Sequence, residues 1–376
     1  MSESDDPAEI ERRFGEAVGR LGPRVLGGLD ALEQALRRLH PPDFPQIRAG
    51  LAPARDALVE TLEDFEAVEA PAPLAIFRDR FVSSAQLTRE SLAGLVDPVP
   101  PAEAAPRALG AMHHFARAQA QIYPLRDVLP PVSAYFAEPF RQGDLDALEA
   151  PEGSDARVGL FRTGEEDERG GFELYVPESY DGSEAWPLIV ALHGGSGHGG
   201  DFLWSWLREA RSRKCLLLSP TSRDSTWSLH APEVDGPGLR EMTAFVASKW
   251  NVDAERVLLT GLSDGATMTL LVGLGENAPF THLAPVSGVM HPMNFANGNV
   301  GRARGKPIYL VHGALDWMFP VSLAREAAQV FEDAGAELVY REIADLSHTY
   351  PREENARIIE WLDPQRAPSS LAPASP

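Results

Sequence analysis

Residues 257–266 read Val-Leu-Leu-Thr-Gly-Leu-Ser-Asp-Gly-Ala, and this stretch decides the fold that we predict. A short apolar run leads into Gly-x-Ser-x-Gly, and a stretch of small and apolar residues follows. This order predicts a strand, a tight turn and a helix, with Ser263 at the tip of the turn. The glycines suit the turn because a side chain there would clash with the strand or the helix. The five-residue pattern also occurs in ordinary loops, so a nucleophilic role for Ser263 requires a base, an acid and an oxyanion hole elsewhere in the chain.

The chain around this turn alternates short apolar runs with helical stretches, which is typical of a mostly parallel sheet covered by helices. We predict that the first two strands pair as an antiparallel edge and that the others form a parallel core. The predicted strands are 158–162, 172–176, 188–192, 216–219, 257–260, 283–286, 308–311 and 338–342. The predicted helices are 202–214, 237–250, 266–274, 321–334 and 352–362.

The first part of the chain has a different texture. Up to about residue 150, apolar residues recur at helical spacing, and proline clusters separate the segments. This pattern predicts four or five amphipathic helices, packed as a bundle or against the second domain, that act as a cap or as an oligomerisation module. We therefore predict an all-helical domain over 1–150, a catalytic α/β domain over 151–363, and a disordered Pro/Ala/Ser-rich tail over 364–376.

Composition excludes several classes of partner. The 376 residues carry a formal net charge of −21, which disfavours nucleic acid and anionic membrane surfaces. A single cysteine, Cys215, rules out a disulfide within the chain. The acidic N-terminus has no apolar stretch, and no apolar run reaches the length of a membrane span. We expect a cytoplasmic protein with no membrane span.

Two residues downstream could complete a nucleophilic site. Asp316 follows the predicted strand 308–311, and His348 follows the predicted last strand, 338–342. Both positions lie beyond the carboxyl ends of strands, where ligands bind in open α/β sheets. His348 would act as the base, and Asp316 would hold its imidazole in one tautomer. The order Ser263, Asp316, His348 is the order found in α/β-hydrolases.

Other residues compete for the same roles. Asp345 is an alternative acid, although it is so close to His348 in sequence that both would share one loop. Three histidines are rivals for the base. His312 is expected to anchor a loop, His291 could line the cleft, and His230 lies in an irregular segment.

A glycine-rich loop follows the third predicted strand, at residues 193–200. We predict that its Gly195 and the residue after the nucleophile, Asp264, supply the backbone N–H groups of an oxyanion hole, with Gly194 or Ser196 as alternatives. The loop could instead cradle a phosphate. It lacks the lysine and the glycine spacing that nucleotide-binding loops use, so a nucleotide site is disfavoured.

Aromatic residues near this predicted rim could line a substrate pocket. Trp227 and Trp317 lie in loops and are the candidates, together with Gly194 and Ser196 of the glycine loop. Trp204 and Trp206 could equally pack in the core.

Residues 172–362, about half of the chain, resemble the α/β-hydrolase family. They are similar to its esterase branch of polyhydroxybutyrate depolymerases, feruloyl esterases and phospholipase/carboxylesterases. The stretches that carry the resemblance are Pro-Leu-Ile-Val-Ala-Leu-His-Gly-Gly at 187–195, Val-Asp-Ala-Glu-Arg-Val-Leu-Leu-Thr-Gly-Leu-Ser-Asp-Gly-Ala at 252–266, and His-Gly-Ala-Leu-Asp at 312–316 with Pro320. The helical first part matches no family that we can name.

This resemblance implies a Ser/Asp/His ester hydrolase without a metal or an organic cofactor. Secreted members carry signal peptides and disulfides, so their absence favours an intracellular carboxylesterase acting on a small neutral or hydrophobic ester. Two alternatives stay open. A serine peptidase uses the same three side chains, and a non-catalytic binding or scaffold protein can have the same fold. The sequence identifies neither the natural substrate nor the oligomeric state, and a homo-oligomer formed through the N-terminal helices is one possibility.

Overall fold

The structure is a computed structural model that describes residues 6–100, 103–165 and 167–371. The chain divides into two compact units after Tyr135, earlier than the predicted boundary at residue 150. Residues 136–150 belong to the second unit because buried ion pairs tie them to it. Glu138, for example, lies 2.5 Å from the guanidinium of Arg213. No pattern in the sequence around Glu138 or Arg213 indicates that these two side chains pair.

The first unit is helical, as predicted. Apolar side chains recur every three or four residues along its first helix, and Leu21, Val25, Leu29 and Leu32 are fully buried on one face. Most of the proline clusters lie between helices, where the missing N–H costs little. Within the described residues the helices are α1 (Pro7–Arg37), α2 (Phe44–Glu66), α3 (Ala75–Val96), α4 (Ala104–Ile122) and α5 (Pro130–Tyr135).

The second unit contains an eight-stranded sheet, and its most apolar runs form the central strands. The strands are β1 (Gly159–Arg162), β2 (Phe172–Val176), β3 (Trp186–Leu192), β4 (Leu216–Pro220), β5 (Val252–Leu262), β6 (His282–Val286), β7 (Pro307–Gly313) and β8 (Glu337–Ile343). Their order in the sheet is β1-β2-β4-β3-β5-β6-β7-β8. β2 runs antiparallel to both of its neighbours, and all other pairs are parallel. The predicted antiparallel edge and parallel core are confirmed.

Helices connect the parallel strands or follow the last of them. They are α6 (Gly199–Phe202), α7 (Leu207–Arg213), α8 (Gly236–Lys249), α9 (Asp264–Gly273), α10 (Met293–Ala296), α11 (Asn299–Arg302), α12 (Val321–Ala334), α13 (Glu354–Leu362) and α14 (Pro368–Leu371). The helix predicted over 202–214 is interrupted, because Leu203–Ser205 forms a 3₁₀ turn between α6 and α7.

The tail differs from the prediction of disorder from residue 364 onward. Pro364–Arg366 forms a 3₁₀ turn, and α14 follows it. Arg366 is buried, and its Nε donates to the carboxylate of Asp363 at 3.2 Å. Arg366 thus anchors this segment, and the composition of the segment does not predict such an anchor. The end of the predicted tail, 372–376, lies outside the described residues.

The sheet places three loops at one edge. β5, β7 and β8 run parallel, so the loops after Leu262, Gly313 and Ile343 leave the same edge of the sheet. In the described part of the chain, no helix has the length and apolar character needed to cross a bilayer. Those residues also contain no group of three or more His, Cys, Asp and Glu side chains that could hold a metal ion.

Candidate active site

The turn after β5 holds Ser263 in a strained backbone conformation. Its φ is 56°, in the left-handed region that residues other than glycine rarely adopt. The N–H of Ser263 donates to the carbonyl of Val286 at 2.9 Å, which ties the turn to β6. The residue is 8% exposed. Strain of this kind persists only where the surrounding structure enforces it, and it is common at functional sites.

The two flanking glycines are required by close backbone contacts. A Cβ on Gly261 would lie 2.5 Å from the carbonyl carbon of Gly265. A Cβ on Gly265 would lie 2.4 Å from the carbonyl oxygens of Leu192 and His193. The glycine pattern therefore lets the strand, the turn and α9 approach one another at the end of β3.

The structure brings Ser263, His348 and Asp316 together in one hydrogen-bonded chain. His348 Nε2 lies 3.0 Å from Ser263 Oγ. On the other side of the ring, His348 Nδ1 lies 2.8 Å from Asp316 Oδ2. An imidazole between a hydroxyl and a carboxylate donates through Nδ1 and presents Nε2 as an acceptor, which is the arrangement of a base facing a nucleophile.

The carboxylate of Asp316 is held from both sides. Its Oδ1 accepts from the N–H of Met318 at 3.0 Å and from that of Phe319 at 2.8 Å. Burial alone would raise the pKa of Asp316, but the hydrogen bonds from His348 and Phe319 lower the pKa below its usual value. The charged form is therefore the stable one next to the imidazole.

The loops that carry Asp316 and His348 are packed against each other. The N–H of Leu315 donates to the carbonyl of Leu346 at 2.9 Å. A Cβ on Gly313 would lie 2.2 Å from the same carbonyl oxygen, so no larger residue fits there. The ring of Phe319 meets His348 edge-on at 5.2 Å between centroids. This contact limits rotation of the imidazole.

None of the rival residues takes the place of His348 or Asp316 in this hydrogen-bonded chain, although His312 Nε2 lies 3.4 Å from Asp316 Oδ2. His312 Nε2 lies 2.8 Å from the carbonyl of Phe319, so His312 anchors the loop that carries the acid, as expected from the sequence. His230 and His291 stack on each other at 5.0 Å between ring centroids. Asp345 is exposed on the surface, whereas the carboxylate bonded to His348 belongs to Asp316.

The glycine loop lies beside Ser263. A Cβ on Gly194 would be 3.6 Å from the Cβ of Ser263. The N–H of Ser196 donates to the carbonyl of Ser225 at 2.8 Å, so it is not available to a ligand. By contrast, the N–H groups of Gly195 and Asp264 have no acceptor among the residues that the structure describes. Of the predicted donors, Ser196 is therefore excluded in this conformation.

A buried histidine and a buried tryptophan support this loop. His193 donates through Nδ1 to the carbonyl of Gly194 at 2.7 Å and accepts at Nε2 from the N–H of Ser222 at 3.0 Å. The indole N–H of Trp227 donates to the carbonyl of His193 at 2.8 Å, and the two rings lie 4.8 Å apart. Trp227 is 2% exposed. It therefore braces the loop and offers a substrate almost no surface, which differs from its predicted pocket role.

The predicted pocket residue Trp317 has the opposite character. It is 58% exposed, and its neighbours Leu315 and Met318 are also exposed on the loop that carries Asp316. Its role in a pocket stays a prediction.

Sequence reasoning missed one contact at the site. The hydroxyl of Thr226 donates to Asp264 Oδ2 at 2.6 Å. Thr226 lies in an irregular segment between β4 and α8, and no motif marks it. The one sequence signal next to Thr226 is Trp227, which the sequence predicts to line a pocket.

The buried histidine predicts a pH dependence of stability. Burial lowers the pKa of His193 to about 4, whereas the unfolded chain has an ordinary histidine pKa of about 6.5. Between these values the unfolded state binds more protons. The free energy of unfolding should therefore fall as the pH falls from about 6.5 to 4, by up to about 1.4 kcal/mol per pH unit from this residue.

Urea unfolding at pH 7.5, 6.0 and 5.0 measures this slope. His193→Gln should reduce it, and His230→Gln, which alters an exposed histidine, should leave it unchanged. An equal slope in wild type and His193→Gln would show that His193 does not titrate in this way.

Comparisons with known proteins agree with this fold. Residues 240–365, about a third of the chain, match the family model described as phospholipase/carboxylesterase. This match supports a hydrolase. A comparison with curated proteins returned no match.

Three solved structures illustrate the similarity. A thermostable esterase is 23% identical with a TM-score of 0.45, over 54% of this chain and 61% of that one. SOBER1 of Arabidopsis thaliana is 17% identical with a TM-score of 0.41, over 48% of this chain and 99% of that one. An acylaminoacyl peptidase of Pyrococcus horikoshii is 16% identical with a TM-score of 0.43, over 55% of this chain and 41% of that one.

The chain thus spans about three fifths of the length of that thermostable esterase. The sheet order, the strand-turn-helix at Ser263 and the family match over 240–365 all concern the second unit. The second unit of this chain therefore has the α/β-hydrolase fold, and its residues 240–365 are similar to the phospholipase/carboxylesterase family.

Proposed function

We propose that this protein is a serine carboxylesterase that hydrolyses neutral or hydrophobic carboxylic esters. The observation that carries the proposal is the hydrogen-bonded chain of Ser263, His348 and Asp316, with distances of 3.0 and 2.8 Å. In the proposed reaction, His348 Nε2 takes the proton of Ser263 as the hydroxyl oxygen attacks the ester carbonyl. Asp316 stabilises the imidazolium that forms.

The remaining steps use the same groups. Collapse of the tetrahedral intermediate expels the alcohol, which takes the proton from His348 Nε2, and leaves an acyl group on Ser263. Water then attacks this acyl-enzyme while His348 again accepts a proton. Release of the carboxylic acid restores the Ser263 hydroxyl.

The oxyanion would be held by the backbone N–H groups of Gly195 and Asp264. Support for this assignment comes from the proximity of the glycine loop to Ser263 and from the lack of an acceptor for either N–H among the described residues. Such fixed donors stabilise charge that develops only in the transition state. Gly194 is an alternative donor, because it lies next to Ser263.

The substrate class follows from the exposed apolar side chains beside the acid. Leu315, Trp317 and Met318 present apolar surface on the loop that carries Asp316. The net charge of −21 opposes strongly anionic substrates. Both features favour a neutral or hydrophobic ester.

Parallel assays with p-nitrophenyl butyrate and with peptide p-nitroanilides test the proposal. Turnover of the ester at a rate that saturates with substrate is expected, with much slower or no cleavage of the anilides. Cleavage of anilides without ester turnover would show a peptidase instead. Absence of both activities would favour a non-catalytic binding protein.

A further inference from the structure

The residue after the nucleophile places a carboxylate beside the proposed oxyanion hole. Asp264 is the first residue of α9, and it is partly exposed. Its Oδ2 lies 2.8 Å from the point that a Cβ on Gly195 would occupy. The same side chain therefore borders Ser263 through the backbone and Gly195 through space, which are the two elements that would bind the acyl carbonyl.

This carboxylate has no counter-ion in the described part of the chain. Its Oδ2 accepts the hydroxyl proton of Thr226 at 2.6 Å, and its Oδ1 has no hydrogen-bond donor among those residues. No Lys, Arg or His that the structure describes forms an ion pair with it. The Oδ1 of Asp264, on a side chain that is partly exposed, can therefore still accept a hydrogen bond.

An unpaired negative charge at this position has a cost for ester hydrolysis. The tetrahedral intermediate carries an oxyanion, and a carboxylate nearby repels it, most strongly where water is excluded. A hydrogen-bond donor on the substrate would offset this repulsion and use the free oxygen. Bonds from a donor to a carboxylate are stronger than those between neutral groups.

We infer that Asp264 forms a subsite for a hydrogen-bond donor, a hydroxyl or an ammonium group, carried by the acyl group close to the scissile carbonyl. The inference rests on the proposed esterase function, which it refines for neutral hydroxy esters and extends to esters that carry an ammonium group. Esters with such a donor are favoured, and esters whose acyl group carries a carboxylate are disfavoured.

Asp264 also braces the loop that contains Thr226, and two variants separate bracing from recognition. Asp264→Asn removes the charge, but its amide oxygen still accepts the hydroxyl of Thr226. Thr226→Val removes the brace and keeps the carboxylate. Asp224→Asn is the matched control, because it removes one negative charge from an exposed residue of the same loop.

The experiment measures kcat/KM for four ethyl esters of similar size: butyrate, 3-hydroxybutyrate, 3-aminobutyrate and hydrogen succinate. In the wild type, the hydroxy and amino esters should exceed butyrate by about tenfold, the order expected of one hydrogen bond to a charged group. The succinate ester should fall below butyrate by a similar factor. An advantage of the amino ester alone, at a pH where it is protonated, would identify an ammonium group as the donor.

Asp264→Asn should bring the four values within about threefold of one another, whereas Thr226→Val and Asp224→Asn should keep the wild-type ratios. Ratios that are the same in the wild type and in Asp264→Asn would overturn the subsite and leave the esterase proposal intact. Absence of turnover for all four esters, with no labelling of Ser263 by a fluorophosphonate, would overturn both.

Discussion

Replacement of Ser263 by alanine should lower kcat for p-nitrophenyl butyrate by about 10⁴-fold or more. The acyl group then has no acceptor, because His348 Nε2 no longer faces a hydroxyl. The φ of 56° at residue 263 costs alanine about as much as it costs serine, so the substitution adds no backbone strain. The variant should therefore fold, and steady-state hydrolysis at a fixed enzyme concentration measures the loss.

Ser248→Ala is the matched control, since Ser248 is exposed on α8. It should retain wild-type kcat, and both variants should show wild-type circular dichroism. Substantial activity in a folded Ser263→Ala protein would place the nucleophile elsewhere.

Replacement of Asp316 by asparagine should lower kcat by about 10⁴-fold. The asparagine Oδ1 can still accept from the N–H groups of Met318 and Phe319, so the loop should keep its shape. Its amide nitrogen would then face His348 Nδ1, and two donors cannot share that contact. The imidazole must adopt the other tautomer, which puts a proton on Nε2 and removes the base.

Asp345→Asn is the informative comparison, because Asp345 is the alternative acid on the loop of His348. It should retain activity within a few-fold of the wild type, as expected for an exposed surface change. A large loss in Asp345→Asn together with a small one in Asp316→Asn would reverse the assignment of the acid.

Much of this site follows from the sequence because its residues are tied to strand ends. Ser263, Asp316 and His348 each follow a predicted strand, and parallel strands bring such positions to one edge of a sheet. The glycines at 261 and 265 indicate a close backbone approach, and the structure explains it, because a Cβ at either position would lie about 2.5 Å from neighbouring backbone atoms. Local sequence patterns therefore predict these residues, because the preceding strand sets the position of each one.

The other features depend on contacts between segments that are distant in sequence. The bond from Thr226 to Asp264 spans 38 residues. Thr226 belongs to no motif, and Asp264 stands at a position of Gly-x-Ser-x-Gly whose side chain the motif does not specify. The same holds for Arg213, whose ion pair with Glu138 draws 136–150 into the second unit. The loop position of Trp227 predicts a residue that lines a substrate pocket. In the structure its indole N–H instead donates to the buried carbonyl of His193.

Several expectations from the sequence stay predictions. They are the role of the first unit as a cap or oligomerisation module, the cytoplasmic location, and a pocket that includes Trp317 and Gly194. The first and the last of these concern a surface whose partner is another molecule. The folded chain alone does not carry that information.

Labelling with a fluorophosphonate, followed by peptide mapping, tests the central claim most directly. The reagent phosphonylates a serine only when a base activates it and the oxyanion site accepts the new oxygen. The wild type should incorporate one label on the peptide that contains Ser263, and Ser263→Ala should incorporate none. Absence of labelling, or a label on another serine that persists in Ser263→Ala, would contradict the account.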